Sequence, residues 1–390
     1  MLNLKFIGAG AAGNKAAIAL VNAGFASDDV TLINSTLKDI PSDFKNSAIL
    51  FGSNSDSLGG CGKERNIGKK LILSDLKTNS ITLDNIADPN TNAVVIVSST
   101  EGGSGSAVTP IIAKYMKDVV GVPVIVVLFF GFNSDVRGMQ NSIEICQELP
   151  EDVSVIGICN NKYLADANGN KLKAEQMANQ EFVNIVRILG GYDIVESSQN
   201  IDATDLFKII STPGYMMVGS TSIKSVKNID QFNKAIEEAI DGSKLMDPNE
   251  KGAKRVGVFF DISEVMKDNV DYSCPTLQDE YGIPYESYTH VQEEGKNTVS
   301  WIVSGLPMPI EQVTEIYNSY MEKSNKVNKS KDDFFSVVGS FQGNAQDGMF
   351  DMLSTTGKKN NAKSRASFFS EFGIGEKNTT KADSKTSDEY

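Results

Sequence analysis

Short apolar runs separated by longer helical patterns dominate the first 160 residues of this 390-residue chain. The runs are Leu4–Ile7, Val30–Ile33, Ala93–Val97, Val122–Phe130 and Val153–Ile158. Runs of this length that alternate with helices are typical of parallel strands buried on both faces. The pattern therefore predicts an α/β fold with a doubly wound, Rossmann-like parallel sheet.

The second half of the chain carries a long helical pattern and then further strands. Helical spacing over residues 173–198 precedes a turn and a helix over Asp202–Ile210, which Pro213 and Gly214 end. Strand-like segments recur at Arg255–Phe260, Ser287–Val291 and Thr298–Val303. We expect a smaller α/β domain here, followed by a helix that Pro309 opens.

Composition changes beyond Asn328, and polar residues dominate residues 355–390, apart from one aromatic island at Phe368–Phe372. Low hydrophobicity of this kind is typical of a disordered segment. We expect a flexible tail, in which the island either shares the disorder or is a short motif that folds on a partner.

Composition narrows the classes of function. The 37 Lys and Arg residues stand against 50 Asp and Glu, a net charge of −13, which argues against direct DNA binding. Four widely spaced cysteines and a single histidine, His290, indicate neither disulfides nor a multi-histidine metal site. With no signal peptide and no apolar stretch long enough to span a membrane, we expect a soluble, cytoplasmic protein without membrane partners.

Two glycine-rich segments follow predicted strands, Gly8–Asn14 and Gly102–Ser106. Glycine lets backbone N–H groups approach an anion closely, and a following helix N-terminus adds partial positive charge. Two such loops in one α/β region predict a nucleoside triphosphate held from both sides. A third turn-rich segment, Leu58–Gly68, is either a surface loop or a loop that closes over the terminal phosphate.

The first loop also matches the dinucleotide-binding pattern, with Gly8, Gly10 and Gly13 in its glycine positions. An NAD site requires an acidic residue at the end of the second strand. That strand ends in Asn34 and Ser35, so an NAD-dependent oxidoreductase is a distant alternative.

Two carboxylates, Asp202 and Asp205, lie three residues apart at a predicted helix start. Such a pair is either an ordinary capped helix start or a site that orients water and binds a cation near a phosphate.

In combination these motifs resemble the tubulin/FtsZ superfamily. The order of the three glycine segments and the acidic segment Asn200–Asp205 matches that family over roughly residues 1–310. Further similar stretches are the guanine-contacting loop Ile158–Leu164, the base-reading Asn179, and Gly214–Ser220. Within the superfamily, residues 209–214 and 303–309 are most similar to TubZ, the plasmid- and phage-borne subfamily.

The resemblance implies five regions. These are a GTP-binding domain (1–172), a core helix with an acidic catalytic loop (173–205), a C-terminal α/β domain (206–308), a C-terminal helix (309–328) and a polar, largely disordered tail (329–390).

The resemblance also implies the site. GTP or GDP would bind with Mg²⁺ on the β- and γ-phosphates, although no metal-binding residue can be assigned. Asp202 and Asp205 would be catalytic and would act on the GTP of a neighbouring subunit. The implied nucleotide-binding residues are Gly10, Ala11, Ala12, Asn14, Asn34, Ser35, Gly60, Gly102, Gly103, Ser104, Gly105, Ser106, Arg137, Asn160 and Asn179.

The chain departs from the family pattern at three places. Glu101 replaces the first glycine of the second loop, where an acid beside a phosphate is unfavourable unless it points away. Asn133 and Ser134 stand where a ribose-contacting acid is expected before Arg137, and Glu175 replaces an aromatic residue one turn before Asn179.

A TubZ-like protein would form polar, head-to-tail filaments of itself. These would segregate plasmid or phage DNA through a small DNA-binding adaptor docked on the C-terminal tail. The alternatives are another prokaryotic tubulin, such as a cell-division or phage-centring spindle protein, and a catalytically inactive structural polymer.

Overall fold

The computed structural model of the chain describes residues 1–52, 60–132, 135–192, 203–248, 250–282, 285–292, 295–332 and 365–373.

Ten strands in the described residues form one continuous sheet. They are β1 (Leu4–Ala9), β2 (Val30–Asn34), β3 (Ala48–Leu50), β4 (Ala93–Ser99), β5 (Val124–Phe130), β6 (Ser154–Cys159), β7 (Gly214–Ser222), β8 (Arg255–Ser263), β9 (Tyr285–Gln292) and β10 (Thr298–Leu306). Their order across the sheet is β3-β2-β1-β4-β5-β6-β7-β10-β8-β9.

The first six strands are all parallel, and the apolar runs that predicted five of them are buried. From β1 the chain moves outward to β2 and β3, then returns to place β4 on the other side of β1. This reversal defines a switch point between β1 and β4, where open α/β sheets bind ligands. The prediction of a doubly wound, Rossmann-like parallel sheet is therefore confirmed.

The remaining strands extend the same sheet. β7 pairs in parallel with β6 through two register positions only, Ser154–Gly214 and Val155–Tyr215. β10 lies antiparallel between β7 and β8, and β9 completes the edge parallel to β8. The junction is strengthened by Met246, whose N–H donates to the Gly157 carbonyl at 2.8 Å and whose carbonyl accepts from the Tyr215 hydroxyl at 2.7 Å.

Eleven α-helices accompany this sheet in the described residues. They are α1 (Gly10–Asn22), α2 (Arg65–Lys77), α3 (Gly105–Tyr115), α4 (Val136–Glu148), α5 (Asn160–Asp166), α6 (Lys171–Leu189), α7 (Ala203–Ile210), α8 (Ile229–Asp241), α9 (Pro275–Tyr281), α10 (Ile310–Asp332) and α11 (Arg365–Glu371). None of these described helices combines the length and the apolar character that a membrane crossing requires.

The helices refine several boundaries. The core helix α6 packs against α1 and α5 and ends at Leu189, earlier than the predicted 198; residues 193–202 lie outside the described ranges. Helix α10 runs to Asp332 and packs against α4, so it reaches back to the first domain. The five domain boundaries stay predictions.

The aromatic island differs from the expectation of a flexible tail. Residues 365–371 form α11, and Phe368 is fully buried against Tyr115 at the end of α3. Burying these rings against an apolar surface of the same chain offsets the entropy lost on ordering them. The rest of the predicted tail beyond Asp332 lies outside the described residues.

A buried guanidinium joins three of the helices. Arg65, at the start of α2, is 1% exposed and pairs with Glu144 at 2.8 Å and Glu148 at 2.5 Å, both on α4. Its Nη2 also donates to the Ser106 carbonyl at 3.1 Å. That carbonyl lacks its helical donor because residue 110, one turn later, is proline and carries no N–H. Arg65 therefore supplies the hydrogen bond that Pro110 removes.

This arrangement predicts coupling between Arg65 and Pro110. Arg65→Met should lower the free energy of unfolding by about 3 kcal/mol, because it removes the contacts that Arg65 makes with Glu144 and the Ser106 carbonyl and leaves Glu148 with Lys69 alone. In a Pro110→Ala background, where a backbone N–H serves Ser106, the same change should cost about 1 kcal/mol less. Urea denaturation of the four chains measures the difference; strictly additive effects would contradict the assignment.

Candidate nucleotide site

The two glycine loops meet at the switch point of the sheet. The first connects β1 to α1 and the second connects β4 to α3, and Ala9 is in register with Ser98 at the ends of these neighbouring strands. Gly10 has φ +73, and a Cβ there would lie 2.7 Å from the Gly105 nitrogen. Only a residue without a side chain allows the two turns to approach so closely. The structure thus brings both predicted phosphate loops together.

Two helix N-termini open at this point. Neither Ala9 nor Ser104, the residues that precede α1 and α3, caps its helix through a side chain, and neither helix has an acidic residue in its first turn. Ala11 and Ala12 are half-buried in the first turn of α1. An anion here would meet backbone N–H groups and the positive ends of two helix dipoles.

Side chains tie the end of β2 to the second loop. The Ser35 hydroxyl lies 2.8 Å from the Ser104 hydroxyl, and the side-chain Oδ1 of Asn34 accepts from the Ser35 N–H at 2.9 Å. The Ser106 hydroxyl, fully buried, donates back to the Gly102 carbonyl. The second loop is therefore held in one shape, with open space around Gly102.

Three predicted asparagines are buried with polar atoms that have no hydrogen-bond partner among the residues that the structure describes. Asn14 is fully buried with both Oδ1 and Nδ2 unpaired; Asn34 leaves Nδ2 unpaired, and Asn160 leaves Oδ1 unpaired. A buried polar atom without a partner costs about 1–3 kcal/mol. A ligand that offers both donors and acceptors, such as the edge of guanine or a ribose, would remove that cost.

Helix packing places the three candidate base and sugar contacts on adjoining elements. Asn14 lies on α1, Asn160 begins α5, and Asn179 is half-buried on α6, which packs against both. Glu175, where the family pattern expects an aromatic residue, pairs with Lys15 of α1 at 3.4 Å. Where the family pattern expects an aromatic side chain, this chain therefore has an ion pair whose lysine directly follows Asn14 in the sequence.

A loop from Gly60 to Glu64 covers the second phosphate loop. Gly60 has a positive φ of +88, and a Cβ on Gly103 would lie 2.6 Å from the Lys63 Cα, so backbone touches backbone. Asn141 of α4 donates to the carbonyls of Lys63 at 3.1 Å and Glu101 at 3.2 Å. One amide thus fixes both loops.

Two ion pairs attach the same loop to the start of α4. Lys63 pairs with Asp135, which also caps α4 by accepting from the Gly138 N–H at 2.8 Å, and Arg137 pairs with Glu64. The hydrogen bond from Lys63 holds the pKa of Asp135 below its usual value against the opposing effect of burial, and the Gly138 N–H helps. The predicted nucleotide contact Arg137 is therefore engaged with Glu64. Lys63 was not predicted as a residue of the site, although it lies within the turn-rich segment Leu58–Gly68.

Glu101 lies against β5 and α4. A Cβ added to Gly131 would fall 2.0 Å from its carboxyl carbon, and Gly138 lies against the same side chain. This placement explains how the second loop accommodates an acid in a glycine position. Asn133, Ser134 and Gly59 lie outside the described residues.

The structure does not bring Asp205 to the glycine loops. Asp205 is in the first turn of α7, paired with Lys208 at 3.1 Å, and Asp202 lies outside the described residues. The carbonyl of Ile210, at the end of α7, accepts from Ser154 at the amino end of β6 at 2.9 Å. The loops stand at the carboxyl ends of the strands, and a six-residue strand is about 20 Å long. Within one chain, the glycine loops therefore lie at the carboxyl ends of the parallel strands and Asp205 lies towards their amino ends. We call these the two opposite edges of the sheet.

No group of three or more His, Cys, Asp or Glu residues suited to a metal ion occurs among the residues that the structure describes.

Comparisons with known proteins agree with this geometry. Residues 3–169 match the family described as Tubulin/FtsZ family, GTPase domain. The cell division protein FtsZ of Helicobacter pylori strain J99 is 27% identical over 266 residues, which cover 65% of each chain. The chain thus spans less than two thirds of that relative, and it spans 62% of the FtsZ of Mycoplasmopsis pulmonis.

Solved structures show the same fold at low identity. A GTPγS-form protofilament of TubZ from Bacillus thuringiensis serovar israelensis superposes with a TM-score of 0.69 at 15% identity, covering 85% of this chain and 94% of that one. A GTPγS-bound protofilament of CetZ2 from Haloferax volcanii gives 0.65 at 19% identity, covering 83% and 100%. Residues 3–169 therefore match the Tubulin/FtsZ family, GTPase domain, and the chain has the tubulin/FtsZ fold.

Proposed function

We propose that this protein binds GTP at the two glycine loops and hydrolyses it between stacked copies in a filament. One observation carries the proposal: the glycine loops and Asp205 lie at opposite edges of one sheet. A head-to-tail stack would bring the two edges of successive subunits together.

The loop residues have complementary roles in this proposal. The turns at Gly10, Ala11 and Ala12 and at Gly102–Ser106 would hold the phosphates through backbone N–H groups. Asn34, Ser35 and Gly60 would line the phosphate side. Asn14, Asn160 and Asn179 would hydrogen-bond the sugar and base, which accounts for the unpaired amide atoms of Asn14 and Asn160. Mg²⁺ would be bound mainly through the phosphates and water, as is usual for this ion.

Asp202 and Asp205 would act on the nucleotide of the adjacent subunit. A carboxylate near the terminal phosphate can orient an attacking water and accept its proton. Because neither the loops nor Asp205 suffices alone, hydrolysis would depend on assembly. The TubZ and CetZ2 structures, both described as protofilaments, support a filament.

For the cellular role we propose segregation of plasmid or phage DNA, through an adaptor bound to the C-terminal tail. The likeness to TubZ structures and the net charge of −13, which disfavours direct DNA contact, support this role. The sequence likeness to FtsZ, named as a cell division protein, favours division as the second candidate.

A sedimentation assay tests the central proposal. With GTP and Mg²⁺ the protein should form pelletable polymer and release phosphate at a rate per molecule that rises with protein concentration. ATP or no nucleotide should leave it in the supernatant. A concentration-independent rate from monomers would contradict hydrolysis between subunits.

Asn14→Ala should have opposite effects on binding and on stability. We expect GTP affinity to fall at least about tenfold, because a buried donor and acceptor for the ligand are lost. The nucleotide-free chain should keep its melting temperature or gain slightly, since two unpaired buried atoms are removed. Asn22→Ala, an exposed asparagine on the same helix, is the matched control and should change neither property. An Asn14→Ala chain that is destabilised yet binds GTP normally would refute the assignment.

Asp205→Asn should keep GTP binding and polymerisation but lower turnover by about a hundredfold or more, because an amide cannot serve as a general base. Mixing two variant chains shows whether Asp205 acts on the nucleotide of its own subunit or on that of a neighbour. Asp205→Asn and Asn14→Ala chains are combined at a GTP concentration that loads only the former. Phosphate release above the sum of the separate rates is expected, because Asn14→Ala subunits supply Asp205 to loaded neighbours. Strict additivity would place catalysis within one chain.

A further inference from the structure

The tail helix α11 docks on the body of its own chain through an aromatic face. Phe368 is fully buried, and its ring meets the Tyr115 ring edge-on at a centroid distance of 5.2 Å. Phe369 and Phe372 pack around Phe368 at 5.4 and 5.1 Å. A seven-residue helix is not stable in isolation, so this one depends on the surface it covers.

A single arginine anchors the beginning of α11. Arg365 donates to the Leu76 carbonyl at the end of α2 at 3.1 Å and lies 3.4 Å from an Asp84 carboxylate oxygen. Its guanidinium also stacks over the Tyr115 ring, 5.6 Å from the centroid. Arginine is suited to such a place because one planar group can bond and stack together.

At the end of α11 the charges are reversed, because here the helix supplies the anion and the surface supplies the cation. Lys114 pairs with Glu371 at 2.8 Å, and also with Asp118 at 2.8 Å. Although burial opposes it, the hydrogen bonds that Lys114 donates to these two carboxylates hold its pKa above the ordinary value. With a cation at the first residue of α11 and an anion at the last, the surface accepts the helix in one direction only.

One contact within this surface does not involve α11. The Tyr115 hydroxyl donates to Asp84 at 2.6 Å, which orients the carboxylate that Arg365 meets. Met116 beside Tyr115 is also fully buried. We name this surface, formed by Leu76, Asp84, Lys114 and Tyr115, the tail groove.

We propose that the tail groove is a binding site for an amphipathic helix of the pattern Arg-x-x-Phe-Phe-x-x-Phe, and that α11 fills it within its own chain as a releasable plug. Docking hides Phe368 and Phe369 from any other protein. A partner that binds these two rings must therefore displace α11 from the groove. The inference needs neither GTP nor a filament and stands apart from the proposed function.

A competing peptide must overcome the covalent attachment of α11 to the chain that carries the groove. Because α11 belongs to the same chain, its effective concentration at the groove is on the order of millimolar. A free peptide of the same sequence at micromolar concentration should fail to enter the filled groove. It should enter once the chain's own helix is weakened.

The first experiment uses the full chain and a fluorescent peptide of residues 362–375. Phe368→Ala should weaken internal docking about a hundredfold or more, by removing a buried ring. The variant should bind the peptide at least about tenfold more tightly than the parent chain does, by fluorescence anisotropy. A peptide carrying the same Phe368→Ala change is the control and should bind neither chain. Equal binding to both chains, or to neither, would overturn the proposal.

A charge exchange provides an independent test in the intact chain. Glu371→Lys and Lys114→Glu should each speed hydrogen exchange at residues 365–373, and the double variant should partly restore protection. The protection should not depend on protein concentration, as docking within one chain requires. Concentration-dependent protection, or a double variant less protected than both single ones, would contradict the proposal.

Discussion

At Gly10 and Gly105 the two strand-to-helix turns meet backbone to backbone, and the candidate site has its shape because no side chain separates them. The contact places two uncapped helix N-termini at the point where the strand order reverses. Ser35, Lys63 and Asn141 then hold the second loop from three sides. The geometry of the candidate phosphate site is thus a property of backbone packing, and the neighbouring side chains preserve it.

The sheet itself imposes the separation of functions. A parallel sheet presents all its carboxyl ends at one edge and all its amino ends at the other. The loops after β1 and β4 lie at the first edge, and α7 with Asp205 is attached near the amino end of β6 at the second. A subunit built in this way has two different ends, which is the requirement for a polar, head-to-tail stack.

The sequence predicted the parallel sheet because strands covered on both faces are continuous apolar runs, as in Val124–Phe130. The glycine loops were also predictable, since close backbone approach restricts residue type. In contrast, β3 is only three residues long and half-buried throughout, so its apolar stretch is too short to be distinguished as a strand. The engagement of Arg137 with Glu64, and of Lys63 with Asp135, depends on loops distant in sequence. Composition indicated disorder around α11, because the Tyr115 and Asp84 that order it lie more than 200 residues away.

Helix α3 connects the two proposed ligand-binding regions. Its first residue contacts Gly10 in the phosphate region, and its last residue, Tyr115, forms the floor of the tail groove. Between them Pro110 interrupts the hydrogen-bond ladder, and Arg65 repairs it from outside the helix. Because Arg65 is held by two carboxylates of α4, α3 cannot shift along its axis without disturbing that buried ion-pair network. The helix is therefore held against α4 as well as the sheet, which fixes its position between the candidate phosphate loop and the tail groove.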